Sequence, residues 1–495
     1  TTLFRSVNFK ASFGLNKPIN LSEYLGSADY ATLYNEAMLN SDPNTSPSSL
    51  FSSQQIENYR KAKGDNSDGL GYNWDYRDYA FKYGAQQDYS LSVRGGSDVV
   101  RYYVLANYYK QDGNYKHTNE GSSDDIQAVF KRYNFRTNMD IDINKNFYLK
   151  IDLGARITDR NAPGTTASRI VDIINTQPSY LPITLPDNGN PANEGYVIKN
   201  PHGLLYGDPI HRYNLLGELS RTGYLNEKNT DLNGSFSLGH KLDFITKGLK
   251  VEGTFSYDAS EGRWLRRVLE TRGSGYASYG RYATFQPSEG INGSYFMNNN
   301  EYDGKYILGN PWYDQDETIS NSLTRNATES KTYYQLRLDY QRKFGAHDIS
   351  GLLLFNRSER TYDDRVPYRY QGMTGRATYG YNNKYLAEFN FGYNGSENFA
   401  PGKRYGFFPS GAIGWVISEE KFMAKTKKWL DHLKLRASLG WVGSDKISDS
   451  NDDRFAYLQF YGGGSGYSFG IDNFSNGTNG LAEGNFANPD LTWEK

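Results

Sequence analysis

Apolar and polar side chains alternate along this chain over stretches longer than most globular strands. Between Phe147 and Thr158, Phe147, Leu149, Ile151, Leu153, Ala155 and Ile157 interleave with Tyr148, Lys150, Asp152, Gly154, Arg156 and Thr158. A period of two sets these groups on opposite faces of one strand. Just upstream, Tyr133, Phe135, Thr137, Met139, Ile141 and Ile143 alternate with Asn134, Arg136, Asn138, Asp140 and Asp142, and only Asn144, Lys145 and Asn146 part the two runs, which predicts a hairpin. The pattern returns around Val7–Phe13, Tyr89–Val93, Leu232–Leu238, Leu249–Tyr257, Tyr334–Tyr340, Tyr385–Phe391 and Leu435–Trp441. Globular strands average about five or six residues, whereas a tilted strand crossing a bilayer takes about 9 to 11, apolar toward lipid and polar toward a wet lumen. The runs here match the second figure. They predict that Leu149, Ile151, Leu153, Leu336, Leu338 and Leu439 face lipid, while Lys150, Asp152, Arg337 and Arg436 face the lumen.

The connections test this reading independently, because outer-membrane barrels sort short periplasmic turns from long extracellular loops. Turns near residues 95–98, 144–146, 345–347 and 382–383 are short, and between them lie long connections at 111–128, 159–213, 258–330 and after Gly443. If the strand near Val7 runs outward, parity holds through about thirteen strands, with connections 241–248 and 418–432 on the short-turn side. The expectation is an all-β fold: a transmembrane antiparallel β-barrel with long extracellular loops and short periplasmic turns. Two segments have helical spacing, residues 21–38 (Leu21, Leu25, Leu33, Ala37, Met38) and 168–175 (Ile170, Val171, Ile173, Ile174), and both fall in predicted loops where they would pack on the rim.

Composition narrows the classes. Mean hydropathy is −0.75, and no apolar stretch approaches the roughly 18 to 20 residues of a membrane helix. The 43 Tyr, 26 Phe and 7 Trp argue against disorder, since such a chain has aromatic surface to bury. Lys+Arg 55 against Asp+Glu 56 leaves no basic footprint for nucleic acid. With no Cys among 495 residues there is neither a disulfide scaffold nor a thiolate metal site. Thr1 enters strand-like sequence without a leader pattern, so a longer precursor is expected.

Candidate chemistry is sparse. His117, His202, His211, His240, His347 and His432 show no metal-ligand spacing, although His202 and His211 share a loop. Asp449, Asn451 and Asp453 begin like a calcium loop, but Arg454 and Phe460 stand where its glycine and glutamate belong, so a solvated loop is expected. Gly462–Gly464 and Gly466 lack the strand and helix of a phosphate cradle. No metal or cofactor is called for. On the polar face, Arg94, Arg136, Arg156, Arg337 and Arg436 accompany Asp140, Asp142, Asp152 and Asp339, which should pair with each other or steer a solute. The connection 258–330 is rich in rings, and Trp264, Tyr276, Tyr282, Trp312 and Tyr313 are the candidate substrate-binding residues: flat apolar faces among Asn and Gly suit sugars or extended peptides. The alternative is that these rings pack the loop on itself.

The run from Tyr385 through Phe391-Gly-Tyr-Asn and Phe407-Phe-Pro-Ser-Gly-Ala-Ile-Gly-Trp415 to Met423 resembles the barrel of SusC/RagA-type TonB-dependent transporters of Bacteroidetes. So do Leu433-Lys-Leu-Arg-Ala-Ser-Leu-Gly440, Asn488-Pro-Asp-Leu-Thr-Trp-Glu-Lys495, and Phe9 to Ala37 with its Lys17-Pro18 and Tyr34-Asn35-Glu36-Ala37. The resemblance implies a 22-stranded outer-membrane barrel of a Gram-negative cell, gated by TonB and capped by a SusD-like lipoprotein. Its cargo would be a glycan or oligosaccharide, or else a peptide, moved without bond chemistry. Relative to that pattern, residues 1–495 are expected to be a partial barrel domain, with plug and TonB box before residue 1 and further strands after 495. Two other classes compete: a secreted all-β glycan-binding or adhesive protein, and a glycan-cleaving enzyme using a carboxylate pair.

Overall fold

The computed structural model describes residues 4–19, 21–119, 126–185, 204–208, 210–269, 282, 284–287, 306–308, 319–426, 428–447, 454–468 and 477–495. Its main element is one antiparallel sheet of thirteen strands, each paired with its neighbours in chain order. They are β1 (Phe4–Asn16), β2 (Gly84–Gly96), β3 (Val100–Asp112), β4 (Val129–Asp142), β5 (Phe147–Pro163), β6 (Tyr224–Lys241), β7 (Leu249–Leu269), β8 (Ile319–Phe344), β9 (His347–Tyr362), β10 (Tyr368–Tyr381), β11 (Tyr385–Ser396), β12 (Tyr405–Val416) and β13 (Lys434–Gly440). Twelve of these strands have 12 or more residues, the length a tilted membrane crossing requires. No helix among the described residues is long and apolar enough to cross a membrane.

Register turns thirteen separate alternations into two faces. Partners in an antiparallel ladder point the same way, and Leu336 opposes Phe355, Phe355 opposes Met373, Met373 opposes Tyr393, and Tyr393 opposes Phe407. On the other half, Val7, Val93, Val104, Thr137 and Leu153 form one continuous row. Leu149, Ile151, Leu338 and Leu439 fall on this same face, opposite Ile141, Met139, Leu353 and Gly411. The reverse face carries rows such as Lys150, Ser237, Thr254, Gln335 and Asn356. A slip of one residue in any strand would mix the two sets, so the apolar pattern pins the register.

The turns sort as parity requires. On one side the connections are residues 97–99, 143–146, 242–248, 345–346, 382–384 and 417–433. Asn382 and Asn383 both have positive φ, 53° and 56°, the type I′ geometry that matches strand twist. On the other side lie 17–83, 113–128, 164–223 and 270–318, together with two short links, 363–367 and 397–404. The ring-rich connection is narrower than expected at both ends. β7 continues to Leu269 and β8 starts at Ile319, because cross-strand pairing extends past a bulge at Asn326/Thr328 where the sequence alternation has already faded.

The long connections build a second layer. It holds α1 (Ser27–Ser41), α2 (Ser53–Lys61), α3 (Tyr76–Ala80), α4 (Ala167–Thr176) and α5 (Leu215–Ser220). α4 confirms the helix expected at 168–175 and buries Ile170, Ile173 and Ile174, with Thr166 as N-cap accepting from Arg169 N–H at 3.2 Å. The helix expected at 21–38 begins later and uses another face. Leu21 and Leu25 precede it, Leu33 is exposed, and Ala28 and Ala31 are buried, since only small side chains fit beside Tyr59, Phe51 and Tyr180. Among the described residues, Phe408 and Val416 are the only fully buried large apolar side chains contributed by the sheet. The rest of the buried core sits in the connections, chiefly where α3, α4 and α5 meet Ile183, Leu205 and Tyr282.

The segment after Gly443, expected to be one long connection, contains a hairpin, Tyr461–Ser468 with Gly477–Glu483, so Gly462–Gly464 lie on a strand. Its end folds back on the sheet. Trp493 packs on Phe399 and Phe408 with centroids 5.8 and 5.2 Å apart, and its indole N–H donates to the Arg404 carbonyl at 2.8 Å. Ser444 and Glu494 close a bridge beneath it, each N–H reaching the other's carbonyl at 3.0 Å.

Candidate functional site

The polar face of β4 to β8 is a ladder of charges placed by register. Arg156 lies opposite Asp231 and donates to Asp231 Oδ2 through Nε at 2.9 Å and Nη2 at 2.8 Å. Beyond the Thr158–Asn229 pair on the same face, Arg160 donates to Glu227 Oε2 at 3.1 Å. Toward the short turns, the Tyr148 hydroxyl donates to Glu252 Oε2 at 2.7 Å with Lys150 3.9 Å away, and Arg337 bonds Asp339 at 2.6 Å. Gly154 opens the row: a Cβ there would stand 2.0 Å from Asn233 Oδ1, so only glycine lets that amide lie flat between Arg136 and Asp258 in the ladder. Arg136, Asp152, Arg156, Asp231 and Asp258 line the resulting cleft. It holds both signs of charge and many side-chain amides and hydroxyls, which suits a polar, hydrogen-bonding solute and offers nothing to an apolar one.

Five of the polar-face residues expected from sequence are held by named neighbours. Arg156, Arg337, Asp142, Asp152 and Asp339 are tied to neighbours, Asp142 by Arg101 and Asp152 by Asn138. The acids Asp231, Glu227 and Glu252, which pair with Arg156, Arg160 and Tyr148, were not legible in the sequence, because only register brings them opposite these residues.

Of the five ring candidates, Tyr276, Trp312 and Tyr313 lie outside the described residues. Trp264 stands on β7, opposite Glu227 and Thr324, on the polar face in the same row as the Arg160–Glu227 pair. Tyr282 is buried in the connection layer. Its hydroxyl accepts from Asn214 N–H and donates toward Glu218 Oε1, each at 3.0 Å, and its ring lies so close over Gly217 that a Cβ there would come within 2.5 Å. Asn214 is the N-cap of α5, with its amide reaching the Ile183 and Tyr206 carbonyls at 2.6 and 2.8 Å. Tyr282 therefore holds α5 in place with no ring face open to a solute.

Close by is a cluster that spacing alone did not reveal. Asp208 is buried and accepts from the Tyr206 hydroxyl at 2.8 Å, from Ile210 and His211 N–H at 2.7 and 2.6 Å, and contacts His211 Nδ1 at 3.0 Å. Burial alone would raise its carboxyl pKa, but the hydrogen bonds and charge of His211 outweigh it and bring the pKa to about 2. The Tyr206 hydroxyl moves the other way, held protonated by burial and by the neighbouring carboxylate. Such a loop clasp fixes backbone; its four donors leave Asp208 little capacity for chemistry.

No family model matches the chain. It is similar over 459 residues to the TonB-dependent receptor P3 of Formosa agariphila, at 26% identity, covering 90% of this chain and 40% of that protein. It is similar over 417 residues to the TonB-dependent receptor SusC of Bacteroides thetaiotaomicron, at 24% identity, covering 79% of this chain and 36% of that one. The fold agrees: the solved RagAB peptide transporter superposes with a TM-score of 0.60 at 16% identity, over 99% of this chain and 51% of the other. The chain is SusC/RagA-like. It spans less than half the length of these two curated relatives. A SusC/RagA-like sheet is an outer-membrane β-barrel wall, and that is where its apolar face belongs. The proteins it resembles are receptors and transporters rather than enzymes.

Proposed function

We propose that this SusC/RagA-like chain supplies the wall of a TonB-dependent importer that takes up an oligosaccharide, with a peptide as the alternative cargo. The observation that carries the reading is the two-faced thirteen-stranded sheet, apolar on one side and polar on the other, whose polar side leads to a built layer of long connections at one end. The apolar face has no purpose in a secreted adhesive protein, where it would stand in water. The mixed charges around Gly154, with Trp264 above them, suit a solute that offers hydroxyls, amides and a flat face. The peptide alternative comes from RagAB, described as a peptide transporter.

The same reading includes a SusD-like lipoprotein on the long-connection side and a plug engaged by TonB. It also makes residues 1–495 part of a larger barrel, 22-stranded as the resemblance implies, since among the described residues β1 and β13 each end the sheet with one ladder edge unpaired, and hydrocarbon does not tolerate unpaired backbone groups. The test is uptake of labelled oligosaccharides and peptides by cells with and without the gene, before and after the proton-motive force is collapsed. Energy-dependent accumulation of one solute class supports the proposal; accumulation that persists without energy, or without the gene, refutes it. Trp264→Ala should lower solute affinity by about 1 to 3 kcal/mol in calorimetric titration while assembly is unchanged.

A further inference from the structure

On the short-turn side, the two longest connections carry strongly exposed apolar side chains that do not belong to the sheet's apolar face. In residues 242–248, Phe244 is 71% exposed and Ile245 64%; in residues 417–433, Phe422 is 67% exposed and Trp429 77%. The tight turns on this side carry at most one such residue each, Val99 at 52% and Ile143 at 54% exposed. Neither connection stands apart from the lipid-facing surface. Phe244 sits 5.8 Å from the His240 ring, which stacks at 3.8 Å on Phe147, and both of those residues lie on the apolar face. Glu420 fastens the other connection to the same face, accepting from Tyr385 Oη at 2.7 Å and from Trp415 Nε1 at 3.2 Å.

The charge around Phe422 and Trp429 is mostly positive. Residues 421–434 contain Lys421, Lys425, Lys427, Lys428 and Lys434 against the single acid Asp431. Glu420, just before them, is matched by Lys384 at 3.1 Å. Rings with a polar edge settle at the headgroup level of a bilayer, and lysine stems lie along apolar surface while their ammonium groups reach phosphate. Apolar insertion together with a basic cluster gives the two signals that firm interfacial binding needs.

We propose that residues 242–248 and 417–433 form an interfacial anchor that recognises anionic phospholipid headgroups in the leaflet on the short-turn side. Phe422 and Trp429 enter the boundary between headgroups and acyl chains, and Lys421, Lys425 and Lys428 hold the phosphates. The inference depends on the membrane placement of the sheet and is independent of the transport proposal.

The experiment uses the full-length polypeptide reconstituted into vesicles of phosphatidylethanolamine with either phosphatidylglycerol or phosphatidylcholine, the second lipid carrying bromine on its acyl chain. The Trp429 signal is isolated as the difference between the native protein and Trp429→Phe. Brominated phosphatidylglycerol should quench this component about twofold more than brominated phosphatidylcholine, and the triple variant Lys421→Gln, Lys425→Gln, Lys428→Gln should lose the preference while still being quenched. Three results would overturn the proposal: quenching by aqueous iodide and not by lipid, which puts the ring in water; quenching by neither, which puts it beneath a protein segment or a second copy; or equal quenching by both lipids in native and triple-variant protein, which removes the headgroup selection.

Discussion

The thirteen-stranded sheet and the layer of long connections solve the problem of apolar burial in opposite ways. In the sheet, Phe9, Leu336, Phe389 and Leu439 stand exposed on a continuous face, and charges such as Arg156 and Asp231 occupy the other side. In the connection layer Ile170, Leu215, Leu216 and Leu219 are sealed from solvent, and the polar groups inside, Asn214 and Asp208, spend their capacity on local hydrogen bonds. One region is organised for hydrocarbon outside it, the other for water outside it. Sequence patterns mirror the contrast: strict alternation where lipid covers one face of every strand, and irregular clusters where burial is arranged by tertiary contact.

Substitutions that exchange the rules of the two regions would sharpen or break that contrast. The largest effect is expected for Tyr282→Ala. It removes a buried ring and strands the α5 cap, and should destabilise the connection layer by about 3 to 5 kcal/mol. Limited proteolysis should then cut residues 164–223 rapidly while the barrel keeps its resistance to unfolding in detergent; simultaneous loss of both would show that the regions are not separable. Next is Leu336→Arg on the lipid face, about 2 to 4 kcal/mol in folding into lipid vesicles, with Gln335→Arg on the polar face costing far less. Equal cost at the two neighbouring positions would overturn the assignment of faces.

Acid should act on the connection layer first. Asp208 has a folded-state pKa of about 2, below its unfolded value, so its contribution is fully present above the unfolded pKa and disappears as pH falls through the folded one. That contribution is about 2 kcal/mol, lost between about pH 5 and pH 2. Hydrogen exchange of residues 206–211 should quicken over this range in the native protein, and Asp208→Asn should exchange fast already at neutral pH with a flatter acid profile. The smallest change is expected for Arg156→Ala: its pair with Asp231 is solvent-accessible and worth about 0 to 1 kcal/mol, so thermal unfolding should barely move. A large loss there would mean that the polar face is drier than a lumen.

The sequence by itself determined the sheet. Alternation over a dozen residues leaves a strand two faces and no other regular structure, and thirteen such segments joined by alternating tight and long connections admit little besides a barrel wall. α4 was equally legible, since Ile170, Ile173 and Ile174 repeat at helical spacing. Tertiary structure alone decided the rest. Whether a ring in connection 258–330 binds, packs or extends a strand depends on partners tens of residues away: pairing with Glu227 brings Trp264 onto the polar face, and Asn214 draws Tyr282 into a core. The Asp208 clasp likewise needs a backbone turn that places Tyr206 and His211 around one carboxylate. Period and turn chemistry are local and survive in a string of letters, whereas register, burial and the meeting of distant polar groups exist only once the chain has closed on itself.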